Sequence, residues 1–233
     1  MRWVVWVALG GMMALGSGAM LTAQTASTAT AVPVAAPPVV SFQFERAGVA
    51  VPRYTLLVRE DGTGSYQAEA LPGVAPVAGT PTEHVSRAIK LTPGTAAKIF
   101  KAARELKDFN IECEAKLKNV ANTGTKTLSY AGPDGRGSCA YNYSENKDVT
   151  MLTDTLLGIA FTLDEARRLA FLHRFDRLGL DAEMASLTEE AKAGRALELG
   201  TIAPTLTSIA NDTAVMERVR VRAEKLLELA KVQ

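Results

Sequence analysis

Side chains that commonly carry enzymatic chemistry are scarce in this sequence. It contains only two histidines, His84 and His173, and only two cysteines among 233 residues. The zinc patterns H-E-x-x-H and C-x-x-C, the EF-hand calcium loop and the G-x-S-x-G elbow of α/β-hydrolases are all absent. A zinc site requires more cysteine or histidine ligands close together than this chain provides. The sequence therefore predicts no catalytic, metal-binding or cofactor-binding residue.

A phosphate-binding loop is also missing from the sequence. The glycine-rich segment at 132–137 stands between two predicted strands. A phosphate cradle instead needs a helix that begins directly after the loop. We interpret the segment as a hairpin turn, and we expect no nucleotide cofactor.

Neither sign of charge dominates the chain. It has 26 lysines and arginines against 25 aspartates and glutamates, which gives a formal net charge of +1 at pH 7. A strongly basic field is the electrostatic signature of nucleic-acid binding, so this balance argues against a nucleic-acid partner. The most basic stretch, at 218–225, is interrupted by glutamates, and we interpret it as the solvated face of a final helix.

The N-terminus has the parts of a secretory signal. One basic residue, Arg2, precedes an uncharged apolar run at 3–21, and small residues follow that run. We predict cleavage after Ala23, with a later site after Ala31. A retained membrane anchor is the alternative, since a spanning helix needs about 20 apolar residues, and the chain would then contact the membrane only through this segment. Because Cys113 is the first cysteine, no lipidation site adjoins the signal.

The predicted export determines how the two cysteines, Cys113 and Cys139, are interpreted. In an oxidising compartment an isolated pair is most simply one disulfide, and closing a loop of this length stabilises a fold by roughly 3 kcal/mol. A metal-binding pair and a reactive thiol are the alternatives. We predict a periplasmic or extracellular protein with a disulfide between Cys113 and Cys139.

Composition divides the chain into four segments. Residues 1–23 form the predicted signal peptide. Residues 24–38 form an Ala/Thr/Pro linker whose three prolines prevent a helix or a central strand. We predict an α+β domain with the disulfide at 39–147 and a helical region at 148–233.

The segment 39–147 alternates apolar and polar residues with the period of half-buried strands. The alternation predicts strands near 39–45, 53–59, 64–69, 84–90, 126–130 and 138–143. Asp61-Gly62 predicts a tight hairpin turn because both residues tolerate positive φ. Thr92-Pro93 predicts the N-cap and first residue of a helix that continues to about residue 108. The segment 71–81, rich in proline and glycine, is interpreted as a loop.

From residue 148 onward, apolar residues recur at helical spacing. The capping-box patterns at Thr162-x-x-Glu165 and Ser186-x-x-Glu189 predict helix starts, and Pro204 predicts the start of another short helix. The predicted fold class is therefore α+β, with a small antiparallel sheet (two hairpins plus a helix) followed by an all-helical C-terminal region.

Two features leave a functional interpretation open. Asp176 follows His173 by three residues, a spacing at which a carboxylate can orient an imidazole, although an ordinary histidine at a helix boundary is the simpler interpretation. Tyr141 and Tyr143 share a face of a predicted strand. Together with Tyr130 they form either a binding surface or a face packed beneath the helices, and we favour packing.

The missing catalytic motifs favour a binding role. We expect a non-catalytic binding or interaction module of the cell envelope, whose partner is another envelope protein or a wall component. The alternatives are a hydrolase of an unrecognised family and a secreted hydrolase inhibitor that presents the turn at 131–137. The opening strand–Asp-Gly–strand unit and the Thr-Pro helix resemble small bacterial envelope proteins. That resemblance implies no function or site, and the oligomeric state stays open.

Overall fold

The computed structural model describes residues 37–70 and 83–232. The predicted signal peptide, nearly all of the linker at 24–38 and the predicted loop at 71–81 lie outside the described residues. These described residues belong to one compact unit. Within the described part of the chain, no helix is both long and apolar enough to cross a bilayer.

One antiparallel sheet of six strands organises the first half of the described chain, in the order β4-β3-β2-β1-β5-β6. The strands are β1 (Val39–Glu45), β2 (Arg53–Arg59), β3 (Thr63–Ala70), β4 (Glu83–Lys90), β5 (Thr125–Ala131) and β6 (Arg136–Tyr141). Because β1 pairs with both β2 and β5, Phe42 lies between Leu56 and Leu128, and the predicted hairpins merge into a single sheet.

The period-two pattern of the strands separates the two faces of the sheet. Alternate residues such as Val40, Leu56, Tyr66 and Leu128 are buried on the inner face, and most of their neighbours along the strands are polar and point outward. An antiparallel sheet tolerates this division because only one of its faces must be packed.

The turn between β2 and β3 is the predicted Asp61-Gly62 turn. Gly62 has φ +80°, and a Cβ atom there would lie 2.8 Å from the carbonyl oxygen of Leu91. The Asp61 carboxylate accepts a hydrogen bond of 2.8 Å from the backbone N–H of Thr63. Positive φ and close backbone approach both require glycine at this position.

The first helix, α1 (Pro93–Glu105), begins at the predicted Thr92 N-cap, whose hydroxyl accepts a hydrogen bond from the Thr95 N–H. It buries Ile99, Phe100 and Ala103 against the sheet. The helix ends three residues before the predicted end at 108. The cause is a short 3-10 turn at Lys107–Phe109, in which all three residues have positive φ.

The remaining helices are α2 (Lys147–Phe175), α3 (Gly179–Lys192), α4 (Ala203–Asn211) and α5 (Glu217–Ala230), with a 3-10 turn at Leu199–Ile202 between α3 and α4. The first half of α2 packs in the core beneath the sheet, with Leu152 and Leu156. Its second half packs against the later helices, with Leu169 and Leu172. Helix α2 therefore contributes to both hydrophobic cores.

The two predicted capping boxes are wrong. Thr162 lies inside α2, where its buried hydroxyl donates a 3.0 Å hydrogen bond to the carbonyl oxygen of Gly158, and Ser186 lies inside α3. The true N-cap of α2 is Asn146, whose side-chain oxygen accepts from the Asp148 N–H at 2.9 Å. The pattern S/T-x-x-E also fits the middle of a helix, where threonine bonds back to the preceding turn.

Candidate functional site

The predicted disulfide joins Cys113 to Cys139, with Cα atoms 5.7 Å apart. It attaches the segment after α1 to the edge strand β6. The same segment covers that edge, because Asn110 donates a 2.7 Å hydrogen bond to the carbonyl oxygen of Arg136 and the Ala115 N–H donates to that of Tyr143 at 2.8 Å. A disulfide of this kind is compatible with an extracellular compartment.

The structure pairs His173 with Asp212 and not with the predicted Asp176. Its Nε2 lies 2.8 Å from a carboxylate oxygen of Asp212, which also accepts from Arg177. Asp176 instead accepts a 3.0 Å hydrogen bond from the Gly179 N–H at the start of α3. Among the described residues, no hydroxyl or thiol hydrogen-bonds to this imidazole. The contact between His173 and Asp212 joins α2 to the end of α4.

The other histidine, His84, is exposed on β4, where its register partner is Glu69. No hydrogen bond to its ring is present within the described part of the chain. In that part there is also no cluster of three or more His, Cys, Asp and Glu side chains that would hold a metal ion.

Two carboxyl groups on α2 lie in environments that raise their pKa values. Burial raises the pKa of Asp164 to about 6, although the Tyr66 hydroxyl donates to it at 2.8 Å. Burial and the facing Glu183 carboxyl raise the pKa of Glu165 to about 8. Glu183 is also buried, and its carboxylate forms an ion pair with Arg168 at 2.6 Å. Because Glu165 and Glu183 are buried where α2 meets α3, we interpret these groups as a polar network that joins the two helices.

Replacing Glu165 with glutamine should stabilise the protein at alkaline pH. Since the folded state holds the proton, the free energy of unfolding of the wild type should fall as pH rises from 4.5 to about 8, and stay level above that. The glutamine variant has no such loss, so we expect it to exceed the wild type by about 4 kcal/mol at pH 8 and to match it at low pH.

Urea unfolding of both proteins across this pH range measures the difference in stability. Glu189→Gln, a change at an exposed site on α3, is the control, and its difference from the wild type should not depend on pH. A Glu165→Gln difference that is equally flat would contradict the assignment of a raised pKa.

The predicted turn at 132–137 is a hairpin turn, closed by a 2.9 Å hydrogen bond from the Gly132 N–H to the Gly135 carbonyl oxygen. Asp134 accepts hydrogen bonds from the hydroxyl of Tyr130 and from Arg104 of α1, which fixes the turn against the helix.

Tyr130 and Tyr141 are buried, as the packing interpretation expects. Tyr143 lies beyond the end of β6 and is exposed, so the predicted common face of Tyr141 and Tyr143 does not form.

A broad concavity lies beside the first turns of α2, and we call it the α2 groove. It encloses about 540 Å³, and its lining includes Tyr143, Lys147, Met151, Asp154, Thr155 and Leu197. An adjoining depression of about 400 Å³ continues between α1 and α2, over Ile99, Ala102 and Leu152. Met151 and Thr155 border both, so the two form one surface feature made from three separate parts of the chain.

Two large apolar side chains stand exposed at this groove. Met151 is 61% exposed and Tyr143 is 44% exposed. Tyrosine and methionine are enriched at protein–protein contacts, where an aromatic or flexible apolar side chain fits into a partner. The rim carries both signs of charge, with Lys98, Lys147 and Asp154 among its residues.

Hydrogen bonds and close packing hold the walls of the α2 groove. The Thr150 hydroxyl donates to the Ser144 carbonyl oxygen at 3.3 Å, which fixes the segment before α2 to its first turn. A Cβ atom on Gly158 would lie 3.0 Å from the Arg195 carbonyl oxygen and 3.1 Å from Leu197. Glycine at 158 thus allows the loop after α3 to approach α2 closely.

No protein-family model matches this chain. A search of curated proteins also finds no significant match.

Proposed function

We propose that this chain is an exported, non-catalytic binding module of the cell envelope that holds a segment of another envelope protein in the α2 groove. The observation that carries the proposal is the exposure of Met151 and Tyr143 at the edge of a preformed groove. Exposed apolar side chains around a concavity mark interaction sites more often than isolated surface residues do.

The lining of the groove indicates the chemistry of its occupant. The depression between α1 and α2 has a floor of Ile99, Ala102 and Leu152, which suits one or two apolar side chains. Charges of both signs on the rim suit a polar segment of little net charge around those anchors. A segment of a protein meets both requirements, because apolar and charged side chains alternate along one chain.

Export of the protein is part of this proposal. The predicted signal at 1–23 and the disulfide both support a periplasmic or extracellular location. The hydrolase and inhibitor alternatives stay predictions. Binding is favoured over hydrolysis because the Asp212 carboxylate engages His173 without a neighbouring nucleophile among the described residues.

Photo-crosslinking from position 151 tests the proposal. With p-benzoylphenylalanine at Met151, the mature protein should crosslink to one envelope protein, which can then be purified. Met151→Lys should weaken binding of that purified partner by about tenfold or more, because it places a charge on the apolar contact. The control is Phe175→Lys, which changes a similarly exposed side chain (63%) about 36 Å farther along α2.

Equal crosslinking from positions 151 and 175 would contradict the proposal, as would an unchanged affinity of Met151→Lys. Circular dichroism of both variants shows whether each is folded.

A further inference from the structure

An irregular loop at 114–123 connects the disulfide to β5, and we call it the lysine loop. At its start, the Glu114 carboxylate accepts a hydrogen bond from the Asn142 N–H. The Ala115 N–H donates to the Tyr143 carbonyl oxygen at 2.8 Å. The start of the loop is therefore fixed to the two residues that follow β6, and the disulfide precedes it directly.

The end of the lysine loop is fixed to Asn142 as well. The Asn142 amide donates to the Ala121 carbonyl oxygen at 3.0 Å and accepts from the Thr123 N–H at 2.8 Å. The Thr123 hydroxyl also donates to the Asn142 carbonyl oxygen at 2.9 Å. Because both ends of the loop meet at this one residue, the residues between them can adopt few conformations.

A buried lysine supports the base of the lysine loop. Lys126 is only 7% exposed. Its ammonium donates to the carbonyl oxygens of Gly124 and Asn142 and to the Thr123 hydroxyl, at 2.8 to 3.0 Å. Among the described residues, no carboxylate forms an ion pair with it. Burying an ammonium group without a paired carboxylate costs free energy, and here the buried group holds the base of the loop in one arrangement.

The tip of the lysine loop, at 116–119, is exposed. The Lys116 side chain is 82% exposed, and Leu117 is 52% exposed. Within the described part of the chain, the only polar contact of the tip side chains is a surface ion pair between Lys116 and Glu112, at 3.2 Å. A lysine and a large apolar residue are thus presented to solvent by a loop whose base is fixed.

We propose that the lysine loop inserts Lys116 into the active site of a serine endopeptidase that cleaves after lysine, and that it inhibits this enzyme. Such an enzyme accepts the lysine side chain in a pocket with a carboxylate at its base. The backbone at 115–117 has no turn or bend, as a protease cleft requires, and the chain bends at 118–119. A loop with a preformed conformation loses less entropy on binding than a flexible peptide does.

The attachments of the loop favour inhibition over digestion. Hydrolysis of the bond between Lys116 and Leu117 adds one water molecule and leaves a carboxylate and an amine. The chain is held by the disulfide and Ala115 before that bond, and by Ala121 and Thr123 after it. The two new ends would stay close together, so the bond can re-form with release of the water.

The charge near the loop argues against other partners. Glu112 and Glu114 balance Lys116 and Lys118, so the loop has no basic field to attract an anionic membrane or a nucleic acid. A pocket specific for lysine requires only one such side chain. The tip residues line neither the α2 groove nor its adjoining depression, so the two proposals are tested separately.

Inhibition of trypsin and lysyl endopeptidase, which both cleave after lysine, tests the proposal. Elastase is the comparison, because its pocket admits only small side chains. The mature, oxidised protein should inhibit at least one of the two lysine-cleaving enzymes, and elastase far less. Lys116→Ala should weaken the inhibition by about a hundredfold, because it removes the side chain that fills the pocket. The control is Lys192→Ala, at an exposed site (64%) on α3, which should inhibit as the wild type does.

A second variant, Asn142→Ala, tests the rigidity of the loop. It removes the side-chain hydrogen bonds to Ala121 and Thr123. The inhibited enzyme should then cleave the chain after Lys116 about tenfold faster than it cleaves the wild type, because the loop opens more often. Mass spectrometry identifies the cleaved bond, and circular dichroism shows whether each variant is folded.

Four results would overturn the proposal. They are inhibition of neither lysine-cleaving enzyme, equal inhibition by Lys116→Ala and the wild type, equal inhibition of elastase, and equally fast cleavage of Asn142→Ala and the wild type after Lys116. The last result would show that the loop is an ordinary substrate.

Discussion

Replacing Cys113 and Cys139 together with serine should lower the free energy of unfolding by about 3 kcal/mol, the amount expected for opening a loop of this length. For a domain of this size, that loss corresponds to a fall of about 10 °C in the melting temperature. The disulfide spans 26 residues in sequence. Without it, the unfolded chain gains the conformational freedom of that loop.

The site of the disulfide adds a second effect. The segment that it attaches covers the edge strand β6 through the hydrogen bonds from Asn110 to Arg136 and from Ala115 to Tyr143. When that segment loosens, β6 presents unpaired backbone groups, and exposed strand edges favour aggregation. We therefore expect the serine variant to aggregate on heating at concentrations at which the wild type stays dispersed.

Thermal and urea unfolding under oxidising conditions measure the effect. Wild-type protein treated with a reductant should behave as the double variant does, and the oxidised exported protein should weigh about 2 Da less than the reduced form. A double variant as stable as the oxidised wild type would show that the two cysteines do not contribute to stability through pairing.

Replacing Glu198 with alanine should lower the free energy of unfolding by about 3 kcal/mol, although this residue lies in a loop. Its carboxylate is only 3% exposed. One oxygen accepts from the Thr92 backbone N–H at 2.8 Å, and the other accepts from the Thr92 hydroxyl at 2.6 Å. Hydrogen bonds to a charged group contribute about 1.5 to 3 kcal/mol each, and the partner groups of Thr92 would be left without acceptors.

The position of Thr92 makes this contact a joint between two parts of the fold. Thr92 is the N-cap of α1, which packs on the sheet, whereas Glu198 precedes the 3-10 turn that leads into α4. A second contact lies nearby, where Arg87 of β4 donates to the Thr201 carbonyl oxygen at 2.8 Å. Loss of the carboxylate should therefore weaken the start of α1 and the attachment of the later helices together.

Two measurements distinguish a local weakening at the contact between Thr92 and Glu198 from a general loss of stability. Hydrogen exchange should quicken first at the backbone amides near Thr95, and urea unfolding should give the free energy. Glu198→Gln keeps one acceptor oxygen and should lose about half as much, and Glu228→Ala at an exposed site should lose almost nothing. Equal effects of Glu198→Ala and Glu228→Ala would show that the buried contact does not stabilise the fold.

Local sequence patterns predicted the parts of the fold whose cause is local. Apolar residues at alternate positions in β1 and β2 determine which side chains face the core, whatever strand lies alongside. The turn at Asp61-Gly62 and the N-cap at Thr92 depend on the backbone preferences of one or two residues. The disulfide followed from the number of cysteines and the expected compartment.

Where two local patterns competed, the sequence was a poor guide. Thr162 and Glu165 match a capping box, yet the buried stripe from Leu156 to Leu169 continues through them, and packing on both sides keeps α2 helical. The predicted end of α1 was wrong because a local preference was overruled by burial. Three successive residues with positive φ at Lys107–Phe109 are unfavourable alone, and in the folded protein they bury Phe109 in the core.

The candidate sites depended on contacts between distant parts of the chain. His173 and Asp212 are 39 residues apart, and Asp176 was the nearer carboxylate in sequence. The buried Glu165 and Glu183 gave one weak signal, since each is a charged residue within an apolar helical stripe. The α2 groove combines segments from α1, the start of α2 and the loop after α3, which no spacing rule connects.

The sequence by itself determined the α+β class, the six strands, the hairpin turns and the pairing of the cysteines, because each depends on neighbouring residues or on composition. Only the tertiary structure decided that β1 joins both hairpins into one sheet, that α2 contributes to two cores, and that the α2 groove forms. Those outcomes depend on the total burial gained when distant segments pack together, and that gain is a property of the whole fold.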